Sequence, residues 1–369
     1  MAGDEVLEVA GRTVRITNPE KIFFPALGAT KLDLVRYYMD VAPGALTGAR
    51  DRPTLLKRHP NGVSGDFFYQ KRVPASRPEW IQTAHVTFPS GRSADFLVIH
   101  DEAHLAWTIN LGCLELHPWP VRANDVDHPD EMRLDLDPTP GVPFADVRRV
   151  ALVAAEVLDG LRMAGFPRTS GKRGIHVMVR IGPRWGFRDV RRAALALGRE
   201  IERRAPQIAT TAWWKEERHG VFVDYNQNAR DRTLASAYSV RPTDDARVAC
   251  PVTWREVPDV DPAAFTIRTV PERFASAGDP LAGIDDRAYR LDDLLELADR
   301  RESDGATDAP WPPQFPKADG EPTRVAPSRA KGMRENAAAK GTPEKSAAVK
   351  KAPVRKASAG KQKLRGKGR

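Results

Sequence analysis

Apolar and polar positions alternate from Val6 to Ile16 and break at Gly11, which predicts two short strands joined by a turn. Asn18-Pro19-Glu20-Lys21 reads as a further turn. Thr30 is placed to cap a helix over Lys31–Val41, whose Leu32, Val35, Tyr37 and Met39 are partly periodic and which should end near Pro43-Gly44. Short strands are expected at Arg52–Arg58, Ala94–Ile99 and Leu111–Trp119, with a helix at Glu102–Asn110. Val147, Val150, Val153, Ala154, Val157, Leu158 and Leu161 form one stripe of a long helix over Phe144–Met163, capped by Gly165. A second amphipathic helix spans Val190–Arg204, a strand Gly220–Tyr225, and a last helix Leu291–Arg301. Beyond Asp304 the hydrophobic period is lost in favour of Pro, Ala, Lys and Gly. This predicts one folded domain over residues 1–302 and a disordered tail over 303–369.

Charge sharpens that division. The net charge is +9, but from Lys317 onward the chain carries 16 Lys and Arg against 4 Asp and Glu, leaving the preceding residues at about −3. A folded part of that balance must meet an anion through local basic patches rather than a general positive field. Cys113 and Cys250 are too far apart in sequence for a disulfide framework or a CxxC metal site. No apolar h-region opens the chain, and no apolar run is long enough for a bilayer. The expectation is therefore a soluble protein of a reducing compartment, cytoplasmic and with no membrane partner.

Candidate chemistry centres on Met132-Arg-Leu-Asp-Leu-Asp137, followed by Pro138. In a strand, Asp135 and Asp137 share one face while Leu134 and Leu136 enter the core, and Pro138 should close the strand. Two carboxylates side by side repel unless a cation lies between them, although Asp-x-Asp on a solvated strand edge is common. Asp224, at the end of a later strand, would complete a metal cluster or serve only as a turn cap. Glu115 and His117 share a face of a strand expected to neighbour the Asp pair. Thr169-Ser-Gly-Lys-Arg-Gly-Ile-His176 reads as a phosphate cradle: glycines admit an anion to the backbone amides, and Ser170, Lys172, Arg173 and His176 add donors. It is not a Walker loop, because a strand follows. Phe67-Phe68-Tyr69, flanked by charge, is either one buried and one half-buried ring or a stacking platform.

Five of these segments resemble, in order, the polymerase domain of bacterial ligase D, of the archaeo-eukaryotic primase superfamily. They are Glu115-Leu-His117-Pro-Trp119, Asp135-Leu-Asp137-Pro138, Ser170 to His176, Asp224-Tyr-Asn-Gln-Asn228 and Tyr238-Ser-Val-Arg241. The resemblance extends from about Gly11 to Arg300. It implies an α/β (α+β) primase-polymerase fold with a central, mainly antiparallel, RNA-recognition-like catalytic sheet flanked by helices. It further implies that Asp135, Asp137 and Asp224 hold two Mn2+ or Mg2+ ions, with His117 as a further catalytic contact. Ser170, Arg173, His176 and Arg241 would hold the nucleoside triphosphate, with Lys172 sharing the phosphates. Lys21 and Lys31 would grip the 5′-phosphate of gapped or broken DNA, Phe67 and Phe68 would stack on the template, and Lys57 and Arg58 would add basic contacts. The activity implied is template-dependent addition of NTPs or dNTPs to a primer 3′ end, in gap filling or end extension during repair such as non-homologous end joining. The resemblance also implies a Ku-like end-binding protein and a separate ligase as partners, and a nucleoid-associated monomer is expected. De novo priming and a catalytically weak end-binding module are the competing readings.

Lys317-Ala-Asp-Gly320 matches the Lys-x-Asp-Gly adenylation motif of ligases. The chain after it is short and low in complexity, so the match is read as coincidental and the protein as a stand-alone polymerase-type domain. The basic tail is either a sequence-independent DNA tether or a solubilising extension.

Overall fold

Met132, Leu134 and Leu136 enter an apolar cluster with one stripe of each long helix, and this fixes the orientation of the strand that carries the Asp pair. The computed structural model describes residues 3–317, 321, 323 and 324. The strand Glu131–Pro138 lies at the centre of a five-stranded sheet. Across that sheet the order is Phe166–Thr169, Ile175–Arg180, Glu131–Pro138, Val221–Asp224 and Ala209–Thr210. Every pairing is antiparallel except the last. The helices Phe144–Gly160 and Phe187–Arg204 pack on the face carrying Leu134 and Leu136.

The second sheet is built around Pro53–Arg58, with Phe68–Gln70, Cys113–Pro118, Ser93–Val98 and Thr83–Thr87 completing it. Its core is shared with the helices Lys31–Asp40 and Glu102–Asn110 and reaches Met178 on the first sheet. Met178 lies two residues beyond His176 on its strand, so the face that bears the carboxylates is turned toward the second sheet.

Several boundaries depart from the sequence reading for local reasons. Thr30 does cap the first helix, in a reciprocal pair with Asp33, but Pro43-Gly44 does not end it. That helix ends at Asp40, and Pro43 sits in the first turn of another, Ala42–Ala49, where a missing N–H costs nothing. The long helix stops at Gly160 rather than Met163; Arg162 takes the left-handed backbone there (φ 57°). Gly165 instead gives room to a packing contact, since a Cβ on it would meet Leu158 at 2.6 Å. Pro138 closes the strand from within it: pairing toward Ile175 ends at Leu136, so the ring sits where only Val221 faces it.

The chain also remains on the domain beyond residue 302. After the last helix, Asp292–Ser303, residues 306–310 run across the helix Phe187–Arg204, and the compact unit extends to Arg324. Residues 325–369, and all of the Lys317–Gly320 motif except Lys317, lie outside the described residues. No helix among the described residues is long and apolar enough to cross a membrane.

Candidate active site

Strand register builds the site. Arg168, His176, Asp135 and Asp224 lie directly opposite one another on four successive strands, so the sheet presents them as one transverse row. Asp137 joins them two residues along its strand, opposite Phe222. Burial, then the charges of Asp224 and Asp137, raise the proton affinity of the Asp135 carboxyl well above the ordinary carboxylate range. Asp137 is raised for the same reasons, partly countered by Arg173, Arg218 and Lys215. Beside Asp135, His176 Nε2 stands 3.4 Å from Oδ1 while Arg168 Nε donates to His176 Nδ1 at 3.2 Å. Burial and the neighbouring arginines hold the His176 imidazole neutral, well below its ordinary value.

Asp224 is held by its own turn. Its Oδ1 accepts from the Asn226 backbone N–H and its Oδ2 from the Gln227 amide, both at 2.9 Å. Among the described residues no three His, Cys, Asp or Glu side chains form a ready ligand cluster. The donor chemistry fits a hard divalent cation even so: three carboxylates project from one face, and their mutual repulsion is what a cation relieves.

The Gly-rich segment is a hairpin turn from Ser170 to Gly174 between two strands. Ser170 Oγ accepts from the backbone N–H groups of Lys172 and Gly174 and so shapes the turn. Gly171 is obligatory: its φ is +69°, and a Cβ would come within 2.5 Å of the Arg241 side chain. Lys172 lies on the Arg241 side, where burial and that guanidinium lower its proton affinity, whereas Arg173 lies toward Asp137 and donates to the Thr139 carbonyl.

His117 is not on a strand neighbouring the Asp pair. Its strand, Cys113–Pro118, pairs with Pro53–Arg58 in the second sheet, and the facing of the two sheets brings it to the site. The apolar alternation that marks a strand carries no information about which sheet it joins. On that strand the buried carboxylate of Glu115 gathers three cationic or ring partners: Lys57 Nζ at 2.5 Å, Arg241 at 2.5 Å and His117 Nε2 at 3.4 Å. Burial alone would raise its proton affinity, but His117, Arg241 and Lys57 together hold it ionised far below the usual range.

Lys57 is thus buried in an ion pair rather than displayed to DNA, with its ammonium 4.6 Å from the Phe67 ring centroid. Arg58 donates to the Leu111 carbonyl and Gln70 and lies over Phe68. Lys21 is exposed and donates to Asn61, while Lys31 is buried and donates to the Thr17 carbonyl at 2.6 Å. Burial, then the charge of Lys21, bring Lys31 down to about 8, with Arg58 adding to the effect. Phe67, Phe68 and Tyr69 are all exposed, at 51%, 45% and 54%, which removes the buried-ring reading. Phe67 stacks on His59, and Tyr69 meets His117 edge-on at 6.0 Å, so these two rings border the cleft.

The sequence reading assigns no site role to Arg168, Lys215 or Arg218, and names Glu115 and Tyr69 only through their neighbours His117 and Phe67-Phe68. Glu115 is marked by its alternation with His117, whereas the short strand that carries Arg168 emerges only in the structure. Lys215 and Arg218 had no signal, because their loop is linked to Asp137 only through space.

A sequence profile of the family "LigD, primase-polymerase domain" matches residues 30–281. The multifunctional non-homologous end joining protein LigD of Mycolicibacterium smegmatis is 32% identical over 82% of this chain and 40% of its own length. The corresponding LigD of Pseudomonas aeruginosa is 30% identical over 74% of this chain and 32% of its own. The chain thus spans less than half the length of these relatives. The polymerase domain of Mycobacterium tuberculosis ligase D, solved in complex with DNA, superposes with a TM-score of 0.70 at 32% identity, over 75% of this chain and 99% of that domain. By sequence and by fold, the chain belongs to the LigD primase-polymerase domain family.

Proposed function

We propose that the chain is a template-dependent nucleotidyltransferase that extends primer 3′ ends across short gaps or at broken ends in DNA repair. The observation that carries this reading is the carboxylate row of the first sheet, flanked by the anion-donor hairpin and by Arg241 and His117. Two divalent ions, Mn2+ or Mg2+, held by Asp135, Asp137 and Asp224, would acidify the 3′-hydroxyl and polarise the α-phosphate. The turn amides, Lys172, Arg173 and Arg241 orient the triphosphate and neutralise the leaving pyrophosphate, with the Ser170 hydroxyl beside them. His176, neutral with Nδ1 occupied by Arg168, carries its proton on Nε2 and offers a donor at the Asp135 side of the cleft. Glu115 keeps Arg241 and Lys57 in place.

The cluster of Lys21, Lys31 and Arg58 would receive the 5′-phosphate beyond a gap. Its support is mutual repulsion around a partly buried amine, which a phosphate relieves. Phe67 and Tyr69 supply ring faces for an unstacked template base, and Phe68 a third on the other side of the strand. Relatives named for non-homologous end joining support broken ends as substrates; a Ku-like protein and a separate ligase would be the partners of such a reaction.

Primer extension on a short gapped duplex with Mn2+, with and without a 5′-phosphate and with ribo- or deoxynucleotides, tests the reading. Incorporation stimulated by the phosphate is expected. Tight DNA binding without incorporation under any condition would instead mark an end-binding module, and synthesis on unprimed template a primase.

A further inference from the structure

Arg191 is fully buried in the helix Phe187–Arg204 and has no part in the roles assigned above. Its guanidinium is committed on every side. Nε donates to Asn226 Oδ1 at 3.1 Å; NH2 donates to the carbonyls of Ala309 at 3.1 Å and Pro310 at 2.8 Å; NH1 reaches the Asp308 carboxylate at 3.2 Å. The rings of Tyr225 and Trp311 lie 5.1 and 4.4 Å from its central carbon. Asn226 is the residue whose backbone N–H bonds Asp224 Oδ1. Three successive hydrogen-bonded links, through Asn226 and Arg191, therefore join Asp224 to the segment 306–310.

That segment is a strap. Arg199 donates to the Thr307 carbonyl at 2.6 Å, and farther on Trp213 Nε1 donates to the Arg324 carbonyl at 3.1 Å. Trp213 belongs to the same loop as Lys215 and Arg218, two of the three cations that act on Asp137. The strap lies past residues 30–281, the part matched by the family profile. A buried arginine bound to backbone carbonyls is costly to desolvate, and a planar fork reaching three carbonyl and amide oxygens at once holds them in fixed relative positions. Its local carboxylate, Asp308, is partly exposed and cannot by itself account for the burial.

We propose that Arg191, clamped by the strap, is a positioning residue that sets the Asp224 carboxylate through Asn226 and thereby tunes the affinity of the site for divalent metal. The proposal rests on the reading of Asp224 as a metal ligand. Outer partners of ligating groups ordinarily change metal affinity by about 10–100-fold when removed. Lys in place of Arg191 keeps the charge but loses the fork.

The test uses the full chain with a gapped duplex and a non-hydrolysable nucleoside triphosphate, and reads free Mn2+ by electron paramagnetic resonance. Arg191→Lys is expected to weaken Mn2+ binding about tenfold or more, while DNA affinity in metal-free buffer and the circular dichroism spectrum stay unchanged. Asn226→Ala, which keeps the backbone N–H to Asp224 but cuts the link to Arg191, should reproduce the weakening, and it decides the matter if Arg191→Lys fails to fold. Unchanged Mn2+ affinity in a folded variant would overturn the proposal and leave Arg191 as a strap anchor. Asp224→Asn separates the two ideas. If that variant binds Mn2+ like the parent chain, the ligand reading itself fails and the proposal with it; if it loses Mn2+ while both other variants retain it, only the proposal fails.

Discussion

Replacing Asp135 by Asn removes one charge from the carboxylate row without changing its shape. Directly opposed strand residues place their Cβ atoms about 5 Å apart. Two unit charges at that distance, in an effective dielectric of about 20, repel by about 3 kcal/mol. Asp137 adds to this, and Arg241 and Arg168 offset part of it, which leaves a net strain of about 1–2 kcal/mol in the metal-free protein. The variant should therefore melt about 2–4 °C higher than the parent chain in chelator at neutral pH, while losing all incorporation. The sign with pH is fixed. The folded-state proton affinity of Asp135 is raised, so the penalty on the folded protein begins where this carboxyl ionises in the unfolded chain and is complete above its folded-state value. The advantage of Asn should be present at neutral pH and disappear in acid below about 3.9, where the carboxyl is protonated in the folded and unfolded chain alike. Added Mn2+ should stabilise the parent chain and not the variant. Scanning calorimetry with and without Mn2+ measures both, and a variant that melts lower in chelator, or gains equally from Mn2+, would refute the repulsion argument.

Three further outcomes follow from the same geometry. Glu115→Gln leaves the buried Lys57 and the partly buried Arg241 without a counter-charge and should cost about 3–5 kcal/mol in denaturant unfolding; a loss below about 1 kcal/mol would show that water already screens the pair. Because burial and Lys21 bring Lys31 to about 8, its charge fades as pH rises through that value, and the preference for a 5′-phosphate should fall over the same interval. The unfolded chain keeps that proton to about 10.4, so the same residue adds stability as pH rises, a second check in the same titration. Alanine at Phe67, Phe68 or Tyr69 should leave folding intact, since all three rings are exposed, and weaken template binding by about 1–3 kcal/mol wherever a ring stacks on a base. Equal affinity in all three variants would remove the platform.

The sequence by itself determined what is local. A period of two put Asp135 and Asp137 on one face and Leu134 and Leu136 on the other. Thr30 announced its helix, and the glycines at 171 and 174 announced a turn that approaches an anion or a neighbouring chain. These are properties of one strand, one cap and one turn, fixed by backbone geometry within a few residues. Only tertiary structure decided what faces what. Register across the sheet put Asp224 and His176 on either side of Asp135 and brought Arg168 to the end of that row. Packing of the second sheet took Lys57 from a presumed DNA contact into an ion pair with Glu115, and joined His117 to the site from a strand that never pairs with the Asp strand. The same packing kept residues 306–310 on the domain despite a composition that reads as a tail, because Arg191 and Arg199 offer donors to a backbone with no periodic side chains of its own. Partners distant along the chain leave no spacing to read, so their choice becomes visible only when the elements are assembled.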